Sequence, residues 1–474
     1  MRIQGVAEPA LPVRQRRPLE GAREAGRGWA SPRGPAAKKE TLMEDWLLTA
    51  GADAALMDDF NAICAFGGRL SGSGQDTAAI AWALARMRKT GGTVRKAQVP
   101  YDGWRAGSAE LQLLGPEPRA LACRALLRSA PTPAGGLVGE VLDLGQGRVE
   151  DFERAGDAVR GKIVLVRHEY PFSPTHLHRR RKYDQAVARG AAGFLIANPL
   201  PGRGVLSGSS GRPRGAAGIP AAYIDFEGSQ ALAAAAAAGR CEVRLLLTGE
   251  EQENALADLA ILDIPGGSDA RVVISAHMDG HDLGTSALDN ATGVAVALAA
   301  ARALAPRVSA RTHGLRVCLF TAEEWALAGS ARYLDDMDPA ERATLKLNIN
   351  LDTVAGDSAL TAMISEYPAL APFVAAAAAD ADTSVGTYLP FMSNSDHANF
   401  ARHGIPALRL TAGFDRPESN VNNILAAGDV AGVVDEADLR NALRVTCAMA
   451  WRGLTLPRAE LDALAVGGKW GRAA

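Results

Sequence analysis

Three short apolar runs in the second half of the chain each break off at an imidazole or a carboxylate. Val272-Val273-Ile274 leads into His277-Met278-Asp279, and Leu315-Arg316-Val317-Cys318-Leu319-Phe320 leads into Glu323-Glu324. The third, with Leu345, Leu347, Ile349 and Leu351 at alternate positions, ends in Asp352. Runs of this length, separated by Gly- and Ala-rich segments such as the helical pattern from Thr292 onward, predict buried strands of an α/β sheet. One strand ending in His and Asp is accounted for by capping. Three such strands line up imidazole and carboxylates along the carboxyl edge of an open sheet, where such sheets bind ligands.

Upstream, helical spacing over 43–66 and 77–88 is joined by the Gly/Ser stretch 67–74, and 93–99 reads as a strand. The Gly/Ser stretch lacks the closing Gly-Lys-Ser/Thr of a phosphate-binding loop. Between 117 and 250 the texture changes to short strands (161–166, 193–197, 219–224, 241–247), a Gly/Pro-rich loop over 200–218, and a near-pure alanine helix at 231–238. This predicts a β-rich module inserted between 41–116 and 251–474, which together form the larger domain.

Length and composition add bounds. At 474 residues two domains are the default, and a formal net charge of −2 gives no footprint for nucleic acid. The five cysteines (Cys64, Cys123, Cys241, Cys318, Cys447) are scattered and odd in number, which suits reduced, buried thiols. Residues 1–40 carry nine Lys/Arg against four Glu and lack the apolar core of a secretory signal, so a disordered basic tail and a cytoplasmic protein with no membrane partner are the expectation.

Imidazole plus carboxylates is a ligand set for zinc and neighbouring divalent ions. Asp289, ahead of the helix from Thr292, suits either an N-cap or a position bridging two cations. Adjacent side chains on extended backbone point to opposite sides, so of Glu323 and Glu324 one can bind a cation while the other holds water as a general base. His176 and His178, within Thr-His-Leu-His-Arg-Arg-Arg-Lys, are expected in a solvated loop, because the adjacent cations oppose a dication; contact with an acidic substrate is the functional alternative.

The segments AHMDGHDLGTSALDNATG, FTAEEWALAGSARYL and NINLD resemble the zinc-dependent aminopeptidase and glutamate carboxypeptidase family, to which the transferrin receptor also belongs. GKIVLVRH, ARGAAGFLIAN and GIPAAYIDFE resemble its protease-associated domain. The resemblance implies an α/β three-layer sandwich with a mixed central sheet, and a peptide or small amide substrate. It implies two zinc ions per chain, one being possible. His277 would bind one ion and Asp289 bridge both, with Glu324 and Asp352 each joining an ion. Glu323 would be the general base for a metal-bridging water, and Asp279 would orient His277.

One departure stands out. The family supplies a fifth ligand from a late Tyr-His-Thr-x-x-Asp segment, and the matching stretch here, 423–429, has no histidine. His397 in Ser395-Asp396-His397-Ala398-Asn399-Phe400 is the leading substitute, with His281 and His403 behind it. The function expected is a metal-dependent exopeptidase, foremost an aminopeptidase. The alternatives are a carboxypeptidase or dipeptidase, for which no arginine can be assigned to the substrate carboxylate, and a catalytically impaired binding homologue.

Overall fold

The apolar run 271–277 forms the centre of an eight-stranded mixed sheet. Strand Arg271–His277 lies parallel to Gly314–Phe320 on one side and to Leu345–Leu351 on the other, and the latter is parallel to Ala407–Ala412. Antiparallel strands extend both flanks: Leu256–Ile264 followed by Thr93–Pro100, and Leu360–Met363, which pairs in turn with Val385–Tyr388. Four parallel strands therefore deliver their carboxyl ends to one edge. The computed structural model describes residues 46–239 and 241–470; the basic tail expected over 1–40 lies outside them.

Both faces of this sheet are covered, as the continuous apolar runs require. Alternation along the strands sorts the covering layers. Val272 meets Gly453 of helix Glu436–Thr455, whereas Ser275, of opposite parity, bonds Asn350, which reaches Ser395 beside helix His397–Arg402. Helix Thr292–Leu304 packs with Glu436–Thr455 and Leu56–Cys64, and belongs to an apolar stretch, 287–307, long enough to cross a bilayer; in this protein it is largely buried against the sheet and neighbouring helices. The helix expected over 43–66 is interrupted at 52–55, where the Asp53 carboxylate accepts the Ala55 amide (2.8 Å) and competes with the helical ladder.

A second eight-stranded sheet contains four parallel strands, Leu137–Asp143, Ile163–Arg167, Gly193–Ala197 and Ala221–Ile224. It draws in Gly103–Leu113, which pairs with Glu242–Gln252. The stretch 103–113, placed by its texture in the larger domain, thus belongs by pairing to the inserted sheet.

Candidate metal centre

Three of the four parallel strands end at polar side chains. His277 closes its strand, Asp352 follows Leu351 directly, and Glu323 and Glu324 follow Phe320 after a turn in which Ala322 takes a left-handed φ of 58°. Asp289 comes from the short segment leading into helix Thr292–Leu304, where Gly293 lets the helix start approach the sheet: a Cβ there would lie 2.4 Å from the Leu351 carbonyl oxygen. Ligating atoms of His277, Glu323 and Asp352 lie within 4.8 Å of one another, as do those of His277, Asp289 and Glu324.

His277 Nε2 stands 3.1 Å from Asp289 Oδ1 and 3.7 Å from Asp352 Oδ1. Donor atoms about 2 Å from a tetrahedral ion lie about 3.3 Å apart, so this spacing suits a shared cation. Nε2 of His277 and Oε1 of Glu324 are buried without hydrogen-bond partners, which a cation would satisfy. Electrostatics agree. Burial, reinforced by neighbouring carboxylates and only partly offset by His277, pushes Glu323 and Glu324 well above the ordinary carboxylate range. Asp352 goes the other way, because Arg409 and His277 outweigh its burial. Several acids concentrated around one imidazole, out of water, call for positive charge.

Asp279 holds the site together, though differently from the expectation. His277 Nδ1 bonds the Asp279 backbone carbonyl (2.9 Å), and the carboxylate lies farther off, at 3.7 Å. That carboxylate accepts instead from the amides of Glu323 (3.2 Å) and Glu324 (3.3 Å) and from Ser71 Oγ (3.1 Å), since the turn after Phe320 presents free N–H groups to it. His397 is a correction: it joins neither convergent group. It begins helix His397–Arg402, and the basic residue that reaches Asp352 is Arg409, whose Nη2 lies 3.1 Å from Oδ1. His403 lies away on Asp335 (3.1 Å).

His176 and His178 also depart from expectation. Rather than a solvated loop, they line a cleft together with Arg179, Arg180, Asp289, Glu323, Glu324, Asp352, Arg409 and Leu425. His178 Nδ1 accepts the Arg180 amide (3.1 Å) and caps helix Arg179–Ala188, which aims Arg180 at the cleft. The Glu323 and Glu324 charges oppose the loss of Arg180's proton that burial favours.

Four contributors escaped the sequence reading. Arg409 signals itself only as a charge inside an apolar strand. Asp429 accepts the Leu288 (2.7 Å) and Asp289 (3.3 Å) amides and fixes the segment carrying Asp289. Arg69, from the Gly/Ser stretch, donates to the carbonyls of Met278 (2.8 Å), Thr285 (2.7 Å) and Ser286 (2.8 Å). Ser71 beside it receives the Ala322 amide (2.8 Å). The stretch that failed as a phosphate loop is thus a brace for the metal-site turns.

Residues 260–446 match the model of peptidase family M28, and residues 130–232 match that of the PA domain. Residues 260–446 thus form a peptidase family M28 domain. The chain is 26% identical to mouse carboxypeptidase Q over 280 residues, covering 57% of this chain and 58% of that protein. It is 29% identical to a probable leucine aminopeptidase 2 of Aspergillus fumigatus over 293 residues, covering 59% of this chain and 56% of that protein. The matches thus span less than two thirds of these relatives' lengths. Among solved structures, a peptidase M28 precursor from Shewanella amazonensis superposes with a TM-score of 0.72 at 23% identity, over 92% of this chain and 99% of that one. A zinc aminopeptidase from Bacillus subtilis gives 0.68 at 23% identity, over 86% and 96%. These structures share the mixed-sheet fold with the added PA domain.

Proposed function

We propose that this M28 chain is a metal-dependent exopeptidase, foremost an aminopeptidase, that hydrolyses a peptide bond in the cleft between the sheet edge and the PA domain. The observation that carries the reading is the convergence of His277, Asp289, Glu323, Glu324 and Asp352 at one sheet edge, with unpartnered donor atoms and excess buried negative charge. His277, Asp289 and Asp352 would hold one zinc, and Asp289 with Glu324 would hold a second, Asp289 being shared. Bound there, the ions supply Lewis acidity toward the scissile carbonyl and lower the pKa of water.

The chain's own residues do the rest. Glu323 faces the cleft, does not need to be a ligand, and has its carboxyl held high by burial and the adjacent acids. Such a group is suited to accept a proton from the attacking water and return it to the departing amine. Asp279, through the Glu323 and Glu324 amides and its own carbonyl on His277, sets the positions of base and ligands together. The relatives named for aminopeptidase activity support the N-terminal direction.

One observation favours a second reading, a carboxypeptidase or dipeptidase. Arg180 lines the cleft near Glu323 and Glu324, and its Nε is buried without a hydrogen-bond partner. A guanidinium so placed is suited to a substrate's terminal carboxylate. A panel of dipeptides, N-blocked or C-amidated, separates the two. An aminopeptidase loses the N-blocked substrates and keeps the amidated ones. The reverse, with KM for free-carboxylate substrates rising about 10-fold or more in Arg180→Ala, establishes the second. Equal cleavage of both blocked forms overturns the exopeptidase assignment.

A further inference from the structure

Beside the five convergent residues lies a buried imidazole that the reading above leaves unused. His281 lies four residues beyond His277, is 3% exposed, and directs Nε2 to within 2.6 Å of Glu324 Oε2. No hydrogen-bond geometry connects the two atoms, and Nε2 has no other hydrogen-bond partner. Its other ring nitrogen is engaged: Nδ1 lies 2.9 Å from Ser207 Oγ, a side chain contributed by the PA domain. The Ser207 amide in turn donates to the Leu425 carbonyl (2.8 Å). Leu425 lines the cleft and stands where the Tyr-His-Thr-x-x-Asp pattern places its histidine.

We infer that His281 is the nitrogen ligand of the second cation position, replacing the histidine that Leu425 displaces, and that Ser207 of the PA domain orients it. The inference rests on the metal-centre reading above and adds to it a residue and a domain that reading does not use. The physical argument runs through the tautomer. With Nδ1–H donated to Ser207 Oγ, Nε2 carries a lone pair facing a carboxylate oxygen, which is repulsive unless both atoms turn to a shared cation, the 2.6 Å gap opening toward about 3.3 Å. A metal-bound imidazole whose second nitrogen is held by an oxygen partner is the usual ligand arrangement. The loop is stiff enough for the task. Ser286 Oγ accepts the His281 amide (2.9 Å) and donates to its carbonyl (3.1 Å), while Arg69 clamps the Ser286 carbonyl. Asp289 converges with His277 and Glu324, the residue that His281 faces. The competing possibility is a plain Nε2–H hydrogen bond to Glu324, which requires no ion.

The experiment is zinc and cobalt titration of the metal-stripped full chain by calorimetry, with bound metal counted by mass spectrometry and cobalt ligand-field spectra recorded. The wild type is expected to bind two ions. His281→Gln is expected to keep one and to lose the second or weaken it at least 100-fold, with altered cobalt absorption. His281→Asp, which supplies a carboxylate ligand in place of the imidazole, should recover part of that loss. Ser207→Ala keeps the imidazole and should weaken the second ion about 10-fold, within the range for losing a ligand's hydrogen-bond partner; because it leaves the site's side chains in place, it decides the matter if His281→Gln does not fold. Two ions of unchanged affinity in His281→Gln and Ser207→Ala overturn the inference, as does a single ion in the wild type whose affinity neither substitution alters. No ion in the wild type overturns the metal-centre reading itself.

Discussion

At the scale of single residues, Glu323 and Asp279 make different demands. Glu323→Gln keeps size and hydrogen bonding but removes the proton acceptor, so kcat should fall about 10²- to 10⁴-fold while bound metal stays at the wild-type level by mass spectrometry. Loss of metal together with activity would reassign Glu323 as a ligand. Asp279→Asn leaves the carbonyl that holds His277 but weakens acceptance from the Glu323 and Glu324 amides. A loss of about 10- to 100-fold in metal affinity or activity is expected. His277, Asp289, Glu323, Glu324 and Asp352 were readable as candidates because each follows an apolar run or opens a helix. Arg409 and Asp429 were not, since a charge inside a strand or in a loop declares no partner until the chain folds.

At the scale of elements, the site depends on turns held at close range. The Arg69 guanidinium bonds carbonyls of the 278–286 turn, and hydrogen bonds to a charged group contribute about 1.5–3 kcal/mol each. Arg69→Met should therefore destabilise the fold by about 3 kcal/mol or more, seen as a lower urea midpoint with m unchanged. At the start of helix Thr292–Leu304, Gly293→Ala must push the helix off the Leu351 carbonyl. A cost of about 1–3 kcal/mol is expected, with an activity loss larger than the unfolded fraction accounts for, because Asp289 and Asp352 move apart. Unchanged activity and stability would show that the helix start relaxes without disturbing the site. Strand and helix periodicity predicted both elements, but a glycine's reason for being there depends on what packs against it.

At the scale of the whole molecule, the PA domain closes over the sheet edge and brings basic groups with it. Its contacts include Arg124 with Asp282, Tyr170 Oη with the Gly413 carbonyl (2.5 Å), and Phe172 beneath Arg409. Removal from water, with Lys182 and Arg179 adding repulsion, pushes the His176 imidazole down to about 3, and burial takes His168 and His178 well below the ordinary range. The unfolded chain therefore takes up these protons first as pH falls. Their contribution to stability is complete above the unfolded imidazole value of about 6.5 and declines below it, toward about 3 for His176. Between pH 7.5 and 4.5 the urea midpoint of His176→Gln should fall less, or rise more, than that of the wild type. An unchanged slope in that variant would show that His176 does not contribute to the pH dependence.

The order of apolar runs, their alternation and the residues that close them were enough to determine an α/β sheet whose carboxyl edge carries imidazole and carboxylates, because strand period and strand-end chemistry are local properties. Tertiary structure decided what depends on residues far apart in the chain. It took the ligand role from His397 and set Arg409 beside Asp352. It folded the Gly/Ser stretch under the metal-site turns, brought His178 and Arg180 of the PA domain to the cleft and set Ser207 against His281. Contacts between segments from tens to hundreds of residues apart leave no period in the sequence, and only the packed chain reveals them.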